Sequence, residues 1–163
     1  MNHSNEIAVS VAVITYNMEG YLKQLLDSIL MQKTDFRYEI VVDDDHSPDH
    51  TREILLDYKD RYPDKFVLSL RDQNVGGSRN MYGVLRQCRG RYIAILEGDD
   101  WWECDDKLQY QYDFMEKHPE YVGMYCNSWC ELSRTESVQR VRRDMKKPMV
   151  FSYRDFMNYH FFD

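Results

Sequence analysis

The sequence predicts an α/β fold built on a mainly parallel sheet with helices on both faces. Short apolar segments rich in β-branched residues alternate along the chain with segments in which apolar residues recur at helical spacing. The first apolar segment, Ile7–Thr15 (IAVSVAVIT), has the composition of a parallel strand that is buried on both faces. Strands that alternate with helices are joined by right-handed crossovers, which place helices on both sides of one sheet.

Each further element follows from a local pattern. Apolar residues at helical spacing predict a helix over Gly20–Met31, and the run YEIVV predicts a second strand over Tyr38–Val42. Turn and capping residues from Ser47 to Thr51 precede a second helix, which Pro63 ends. The remaining predicted elements are the strand Phe66–Leu70, a helix from about Ser78 to Cys88, the buried strand Arg91–Leu96, the helix Lys107–Lys117 and a fifth strand over Tyr121–Tyr125.

Length and composition restrict the class of protein. A chain of 163 residues is long enough for one domain with a substantial core. The formal net charge of -7, with 28 acidic and 21 basic residues, argues against general affinity for nucleic acid or an anionic membrane surface. The 4 cysteines lack disulfide-framework spacing and are expected to be thiols in a reducing compartment. Because no segment approaches the ~20 apolar residues of a membrane span, we expect a soluble protein. Together with thiols in a reducing compartment this favours the cytoplasm, with peripheral membrane attachment left open.

Polar residues stand at the ends of the predicted strands. They are Tyr16 and Asn17 after the first strand, Asp43–Asp45 after the second, Asn74–Gly77 after the third and Glu97–Asp100 after the fourth. In parallel sheets, ligands bind outside the carboxyl ends of the strands. We therefore expect these groups to converge on one edge of the sheet.

The acidic segment after the fourth strand needs a compensating partner. Clustered carboxylates are costly at a strand end unless a metal ion, a basic group or water faces them. Glu97 and Asp99 are separated by Gly98, which places both carboxylates near one point. Mg²⁺ and Mn²⁺ prefer such hard oxygen ligands and usually take one or two protein carboxylates together with substrate phosphates and water. The alternative is a solvated acidic loop.

The other candidates each have two interpretations. Asp45 is suited to accept hydrogen bonds from a nucleotide base or ribose, or to cap the helix near Thr51. Tyr16 is placed to stack on a base or to cover the sheet edge. Arg79 either meets a phosphate together with backbone N–H groups or is a surface arginine. The pair Gly76–Gly77 lacks the spacing of a P-loop or a dinucleotide fingerprint, so neither is supported.

Four ordered blocks together carry a resemblance to a known family. The blocks VAVITYN, EIVVDDDHSPDHTREIL, NVGGSRN and GRYIAILEGDDWWECDDKL resemble the nucleotide-sugar-binding half of family 2 glycosyltransferases with the GT-A fold. The similarity spans about residues 7 to 127. It implies a nucleoside diphosphate sugar as donor, with a UDP-sugar as the first choice, and Mn²⁺ or Mg²⁺ as cofactor. It also implies inverting transfer to a hydroxyl of a glycan or lipid-linked acceptor in cell-surface polysaccharide synthesis.

The resemblance also implies roles for individual residues. Glu97–Gly98–Asp99 stands at the family's DxD motif, with Asp99 as direct metal ligand and Glu97 near the ribose or a metal-bound water. Asp45 matches the base-binding aspartate. The other expected nucleotide-sugar contacts are Tyr16 and Asn17 in the TYN turn, and Asn74, Gly76 and Arg79 near the diphosphate. The first DxD position is a glutamate here, which is a departure from the motif.

The catalytic base is the larger departure. The family's general base lies in the acceptor-binding half, and no residue before Asp163 matches it. Residues 1–127 are therefore expected to form the nucleotide-sugar-binding core, and residues 128–163 the start of an acceptor-side region cut inside a larger fold. Of Trp101 and Trp102, one is expected to line a sugar site and the other to fill the core. A nucleotide-sugar-binding module without turnover and a nucleotidyltransferase remain alternatives, and association into oligomers is left open.

Overall fold

A computed structural model describes residues 6–126 and the backbone of residues 128–133 and 138–143. The chain divides between Tyr121 and Val122 into two compact units. The first unit contains β1 (Ile7–Thr15), α1 (Leu22–Leu30), β2 (Arg37–Asp44), α2 (Thr51–Arg61), β3 (Phe66–Leu70), α3 (Gly77–Leu85), β4 (Tyr92–Glu97) and α4 (Lys107–Lys117). The second contains β5 (Ser128–Ser133) and β6 (Val138–Arg143), which pair antiparallel.

The first unit is built on a four-stranded sheet in the order β3-β2-β1-β4, and all of its strand pairs are parallel. The predicted α/β class is therefore confirmed. The register pairs Thr15 of β1 with Asp44 of β2, and Ile14 of β1 with Glu97 of β4. The carboxyl ends of these three strands consequently lie level at one edge of the sheet.

Helices cover both faces of this sheet, as predicted. On one face, alternate residues of β1 such as Val11 and Val13 pack with α1, α2 and α4 in the larger core. On the other face, Ala12 and Val41 pack against Val84 of α3. Burial on both faces explains why β1 and β2 are nearly continuous apolar runs.

Two sequence predictions are corrected by the structure. The fourth strand, predicted to be buried, is buried only in part, because α3 lies over β1 and β2 and leaves Ile93 and Ile95 exposed at 44% and 55%. The predicted fifth strand over Tyr121–Tyr125 is wrong, since these residues are irregular and β5 begins only at Ser128. No strand within the described residues pairs with Tyr121–Tyr125. Gly123 lies at the centre of this segment, and glycine disfavours a strand because it has no side chain to pack.

Two further observations complete the description. No helix in the described part of the chain is long and apolar enough to cross a membrane. Cys88 and Cys104 are free thiols, whereas the side chain of Cys130 lies outside the described residues.

A buried carboxylate, Glu39, joins the elements at the amino end of the sheet. It accepts hydrogen bonds from the Ser10 hydroxyl at 2.7 Å, from the Arg89 backbone N–H at 2.9 Å and from the Arg89 guanidinium. A side chain at Gly90 would meet the backbone nitrogen of Ser10 at 2.4 Å, so only glycine allows this approach. Burial opposes the charged form of Glu39, but the hydrogen bonds from Arg89 and Ser10 outweigh it and lower its pKa.

We predict that Glu39→Gln lowers the free energy of unfolding by about 2 kcal/mol at pH 7, because it removes a charge-assisted hydrogen-bond set. This loss of stability is smaller than the loss expected for a fully buried ion pair, because the Arg89 side chain is 66% exposed. Since the pKa of Glu39 is lowered, the stabilisation is complete above the ordinary glutamate pKa, about 4.3, and is lost as pH falls through the lowered value.

Urea unfolding of both proteins at pH 7 and pH 3 measures this difference. The matched control is Asp57→Asn, which breaks an exposed pair with Arg61 and should change stability by less than about 0.5 kcal/mol. A difference between Glu39→Gln and the wild type that is the same at both pH values would contradict the prediction.

Candidate functional site

Residues from the carboxyl ends of the strands line one concave pocket of about 400 Å³. Its lining consists of Ile14, Thr15, Tyr16, Met18, Asp45, Asn74, Gly76, Gly77, Asn80, Glu97, Gly98 and Asp99. The predicted candidates Tyr16, Asp45, Asn74, Gly76, Glu97, Gly98 and Asp99 are therefore brought together. Asn17 and Arg79 lie outside the lining.

The first two aspartates at the end of β2 are buried and paired. Asp43 forms an ion pair with Arg71, at 2.6 Å between Oδ2 and Nη2. Asp44 accepts hydrogen bonds from the Thr15 hydroxyl at 3.1 Å and from the Ser47 backbone N–H at 3.1 Å. Both carboxylates thus have donors inside the fold, and both connect β2 to its neighbours.

The third aspartate, Asp45, connects β2 to the loop before α3. Its two carboxylate oxygens accept the backbone N–H groups of Val75 and Gly76, each at 2.8 Å. The alternative interpretation of Asp45 as a cap of the helix near Thr51 is wrong, because Asp49 accepts the Thr51 N–H instead, at 3.0 Å. Asp45 is only 3% exposed, so its carboxylate has a defined orientation at the pocket wall.

The acids at the end of β4 differ from those after β2 in having no cationic partner among the described residues. Within residues 6–126, no lysine, arginine or histidine forms an ion pair with Glu97, Asp99 or Asp100. Burial, together with the charges of Asp99 and Glu97, raises the pKa of Asp100. Gly98 is buried between the acids, and a Cβ there would lie 3.0 Å from the backbone oxygen of Ile14. The loop therefore packs closely on β1 while the neighbouring carboxylates of Glu97 and Asp99 stay exposed.

These carboxylates could supply a metal ion with only part of its coordination shell. No group of three or more His, Cys, Asp or Glu side chains that could hold a metal occurs among the described residues. Glu97 and Asp99 are two hard oxygen donors on one wall of the pocket. Such a pair fits Mg²⁺ or Mn²⁺ when phosphate oxygens and water complete the shell.

The start of α3 forms another wall of the pocket. Gly76 precedes the helix with φ +86°, a left-handed conformation that glycine adopts without strain, and no side chain caps the helix. The backbone N–H groups of the first turn and the helix dipole make such an end suitable for an anion. Arg79 is exposed in this first turn.

The loops after β1 and β2 are joined by a set of hydrogen bonds that we call the loop clasp. It comprises Asn17 N–H to Ser47 Oγ at 3.0 Å, Met18 N–H to Thr51 Oγ1 at 2.9 Å, Glu19 N–H to Asp49 Oδ2 at 3.0 Å and His50 N–H to Glu19 Oε2 at 2.9 Å. Asn17 has φ +58°, which asparagine tolerates better than most residues. The clasp orders the loop that begins at Tyr16, which is 45% exposed.

The two tryptophans differ in burial, and one of them fills the core as expected. Trp102 is 7% exposed, belongs to the larger core and donates its backbone N–H to Ser28 Oγ at 3.1 Å. Trp101 is half-buried and lines a separate groove of about 750 Å³ together with residues of α1 such as Gln24 and Asp27. This groove shares no lining residue with the pocket at the strand ends, and a sugar contact by Trp101 stays a prediction.

Sequence reasoning missed several residues of this region. Thr15 and Asn80 line the pocket, and Arg71 lies behind its wall. Asn80 is 2% exposed and donates to the backbone oxygen of Asp43 at 3.0 Å. The block NVGGSRN contains Asn80, but nothing in a linear sequence indicates that its amide reaches β2.

The architecture defines the class of protein to which the chain belongs. A parallel α/β sheet with a pocket at its carboxyl edge, bounded by a glycine-rich helix start, is typical of nucleotide-binding proteins. The chain belongs to glycosyl transferase family 2, whose family model matches residues 10–160. The predicted GT-A fold is confirmed by its structural neighbours.

Solved structures and sequence relatives support this assignment. S. aureus TarS 1-349 in complex with UDP matches with a TM-score of 0.62 and 32% identity, covering 69% of this chain and 33% of TarS 1-349. The mannosyltransferase PcManGT from Pyrobaculum calidifontis, in complex with GDP-Man and Mn²⁺, matches with a TM-score of 0.61 and 26% identity, over 68% and 32% of the two chains.

Sequence relatives are also longer than this chain. The uncharacterized protein Rv1520 of Mycobacterium tuberculosis is 40% identical over 112 residues, which are 69% of this chain and 32% of Rv1520. The minor teichoic acid biosynthesis protein GgaB of Bacillus subtilis is 34% identical over 92 residues, which are 56% of this chain and 10% of GgaB. The chain thus spans about a third of the length of Rv1520.

We predict that Glu19→Gln lowers the pKa of His50. The hydrogen bond and charge of Glu19 raise the pKa of His50, whose Nδ1 lies 2.7 Å from Glu19 Oε2. The protonated pair therefore supports the clasp fully below the ordinary histidine pKa, about 6.5, and this support is lost as pH rises through the raised value.

An NMR titration of the His50 ring measures this effect. Glu53→Gln is the control, because Glu53 raises the pKa of His50 by charge alone and its loss should lower that pKa less. An unchanged His50 pKa in Glu19→Gln would show that the pair does not form in solution.

Proposed function

We propose that the pocket binds a nucleoside diphosphate sugar together with Mn²⁺ or Mg²⁺. On this proposal the whole protein transfers the sugar to an acceptor hydroxyl. The observation that carries the proposal is the pair of exposed carboxylates of Glu97 and Asp99, which have no cationic partner within residues 6–126 and lie beside the uncapped start of α3. Two structural neighbours support the choice of ligand. TarS 1-349 was solved with UDP, and PcManGT was solved with GDP-Man and Mn²⁺.

The charge of the pocket explains why a metal would be required. Among the described lining residues, Asp45, Glu97 and Asp99 are acidic and none is lysine or arginine. A diphosphate entering this pocket alone would be repelled. We propose that Asp99 binds the metal directly and that Glu97 lies near the ribose or a metal-bound water. When bound, the metal would neutralise charge on the departing diphosphate.

Other pocket residues would orient the nucleotide. Asp45 presents a buried carboxylate with fixed orientation, suited to accept hydrogen bonds from a base. Tyr16, exposed at the rim, is placed to stack on that base. The first turn of α3, with Asn74 and Gly76, would face the phosphates. Contacts by Asn17 and Arg79, which lie outside the lining, stay predictions of the sequence.

The chemical step proposed for the whole protein is an inverting displacement. The acceptor hydroxyl oxygen forms a bond to the anomeric carbon while the bond from that carbon to the diphosphate breaks. A general base, whose position in the whole protein this sequence does not identify, takes the hydroxyl proton. The name of GgaB, a minor teichoic acid biosynthesis protein, supports a cell-surface glycan as the acceptor. A lipid-linked acceptor and transfer on the cytoplasmic side are further parts of this proposal.

We predict that the chain binds UDP in the presence of Mn²⁺ and releases it on chelation with EDTA. Calorimetric titration of UDP, GDP and ADP, each with Mn²⁺ and then with EDTA, measures this and identifies the donor class. Asp99→Asn should weaken metal-dependent binding at least about 10-fold, equivalent to about 1.4 kcal/mol. The control Asp100→Asn changes the adjacent acid, which does not line the pocket, and should bind like the wild type.

Three outcomes would count against this proposal. Nucleotide affinity that is unaffected by EDTA would remove the metal, and unchanged metal-dependent affinity in Asp99→Asn would remove Asp99 from the site. Pyrophosphate release from a nucleoside triphosphate would instead indicate a nucleotidyltransferase.

We predict that Asp45→Asn weakens nucleotide binding about 10-fold or more while leaving its metal dependence intact. In asparagine an NH₂ group replaces one of the two carboxylate oxygens. The substituted side chain could therefore not accept the N–H groups of Val75 and Gly76 and also a donor from a base. The same calorimetric titration applies. Asp72→Asn, an exposed change in the loop before α3, is the control, and wild-type affinity in Asp45→Asn would limit Asp45 to a structural role.

A further inference from the structure

One guanidinium behind the pocket wall faces acceptors from two neighbouring elements. Arg71, just after β3, donates from Nη2 to Asp43 Oδ2 at 2.6 Å and from Nε to Asn80 Oδ1 at 3.2 Å. Its Nε also lies 3.9 Å from Asp45 Oδ1. The Arg71 side chain is only 24% exposed, so these interactions are partly shielded from water.

This arrangement sets the orientation of Asp45 from two sides. The N–H groups of Val75 and Gly76 approach the Asp45 carboxylate from the loop, and the guanidinium of Arg71 faces it from β3. Asn80 adds a bond from α3 to the backbone oxygen of Asp43. The wall formed by Asp45 and residues 74–77 therefore depends on where the guanidinium lies.

A glycine inside α3 provides the space for this guanidinium. Gly83 lies within the helix, a position at which glycine is less favourable than alanine. A Cβ at Gly83 would lie 2.0 Å from Arg71 Nη2 and 2.7 Å from Asp43 Oδ2. Since the end of an arginine side chain can move, alanine at this position would displace the guanidinium rather than the backbone.

The ion pair with Asp43 fixes the position of the Arg71 guanidinium. Its side chain is 1% exposed, and its Oδ1 is buried without a hydrogen-bond partner among the described residues. Burial raises the pKa of Asp43, while the hydrogen bond and charge of Arg71 oppose this shift. Arg71 is therefore needed to compensate a buried charge and cannot move away without cost.

We propose that Arg71 is a positioning residue for nucleotide binding, which fixes Asp45 and the turn Asn74–Gly77, and that Gly83 is required to admit it. This inference rests on the proposed function, because it assumes that the pocket binds a nucleotide. Arg71 itself lies outside the pocket lining, so it acts through Asp45 and the turn.

Gly83→Ala tests the proposal without removing a charge. We expect UDP affinity with Mn²⁺ to fall about 10-fold. Thermal stability should also fall, because the displaced guanidinium compensates the buried Asp43 less well, while helix content stays near wild type. The matched control is Gly20→Ala, where a Cβ would meet nothing within 4 Å, and this variant should bind normally. Wild-type affinity in Gly83→Ala would overturn the requirement for glycine.

A pair of variants at Arg71 separates positioning from stability. Arg71→Met leaves Asp43 buried and unpaired, so it should lose both stability and affinity. The double variant Asp43→Asn/Arg71→Met removes the unpaired charge, and we expect it to recover thermal stability but to stay about 10-fold weaker for UDP. Full recovery of affinity in the double variant would show that the ion pair only stabilises the fold.

Amide NMR of the nucleotide-free protein distinguishes this proposal from the proposed function. The Val75 and Gly76 amide signals report their hydrogen bonds to Asp45, and Gly83→Ala should shift both signals while Gly20→Ala should not. Unchanged signals in Gly83→Ala would overturn the positioning role whatever the nucleotide result. Absence of binding of UDP, GDP and ADP alike by the wild type with Mn²⁺ would overturn the proposed function instead.

Discussion

Carboxylates buried at the end of a parallel strand must each find a donor, and this requirement arranges the loops around the pocket. Asp43, Asp44 and Asp45 are consecutive and nearly inaccessible to water. Unpaired, each would carry a desolvation cost of several kcal/mol. Their donors come from β1, from the loop after β2, and from the segment between β3 and α3. Satisfying these charges therefore fixes the loops that surround a ligand.

The contrast between the two acidic segments gives the pocket its chemistry. The acids after β2 are compensated inside the fold, whereas Glu97 and Asp99 remain exposed and unpaired within the described residues. Gly98 allows this difference, because its lack of a side chain lets the loop pack on β1 while both carboxylates face outward. The internal acids build the wall, and the external acids remain available to a cation.

The two edges of the sheet use buried charge for different purposes. At the amino edge, Glu39 joins β1, β2 and the turn before β4 through Ser10 and Arg89. That cluster lies opposite the pocket, so it contributes stability without constraining the ligand. At the carboxyl edge, Arg71 and Asp43 form a comparable pair directly behind the pocket wall. A change there is therefore expected to affect both folding and binding.

The sequence by itself determined the order of the elements from β1 to α4, the parallel sheet and the strand ends that meet at the pocket. These properties follow from local patterns, since periodicity and turn residues are readable over a few positions. Only the tertiary structure decided that Asp45 binds the loop before α3 rather than the start of α2. It also placed Arg71 behind Asp45, opened space at Gly83 and left one face of β4 exposed. Those features depend on contacts between residues far apart in the chain, which no local pattern encodes.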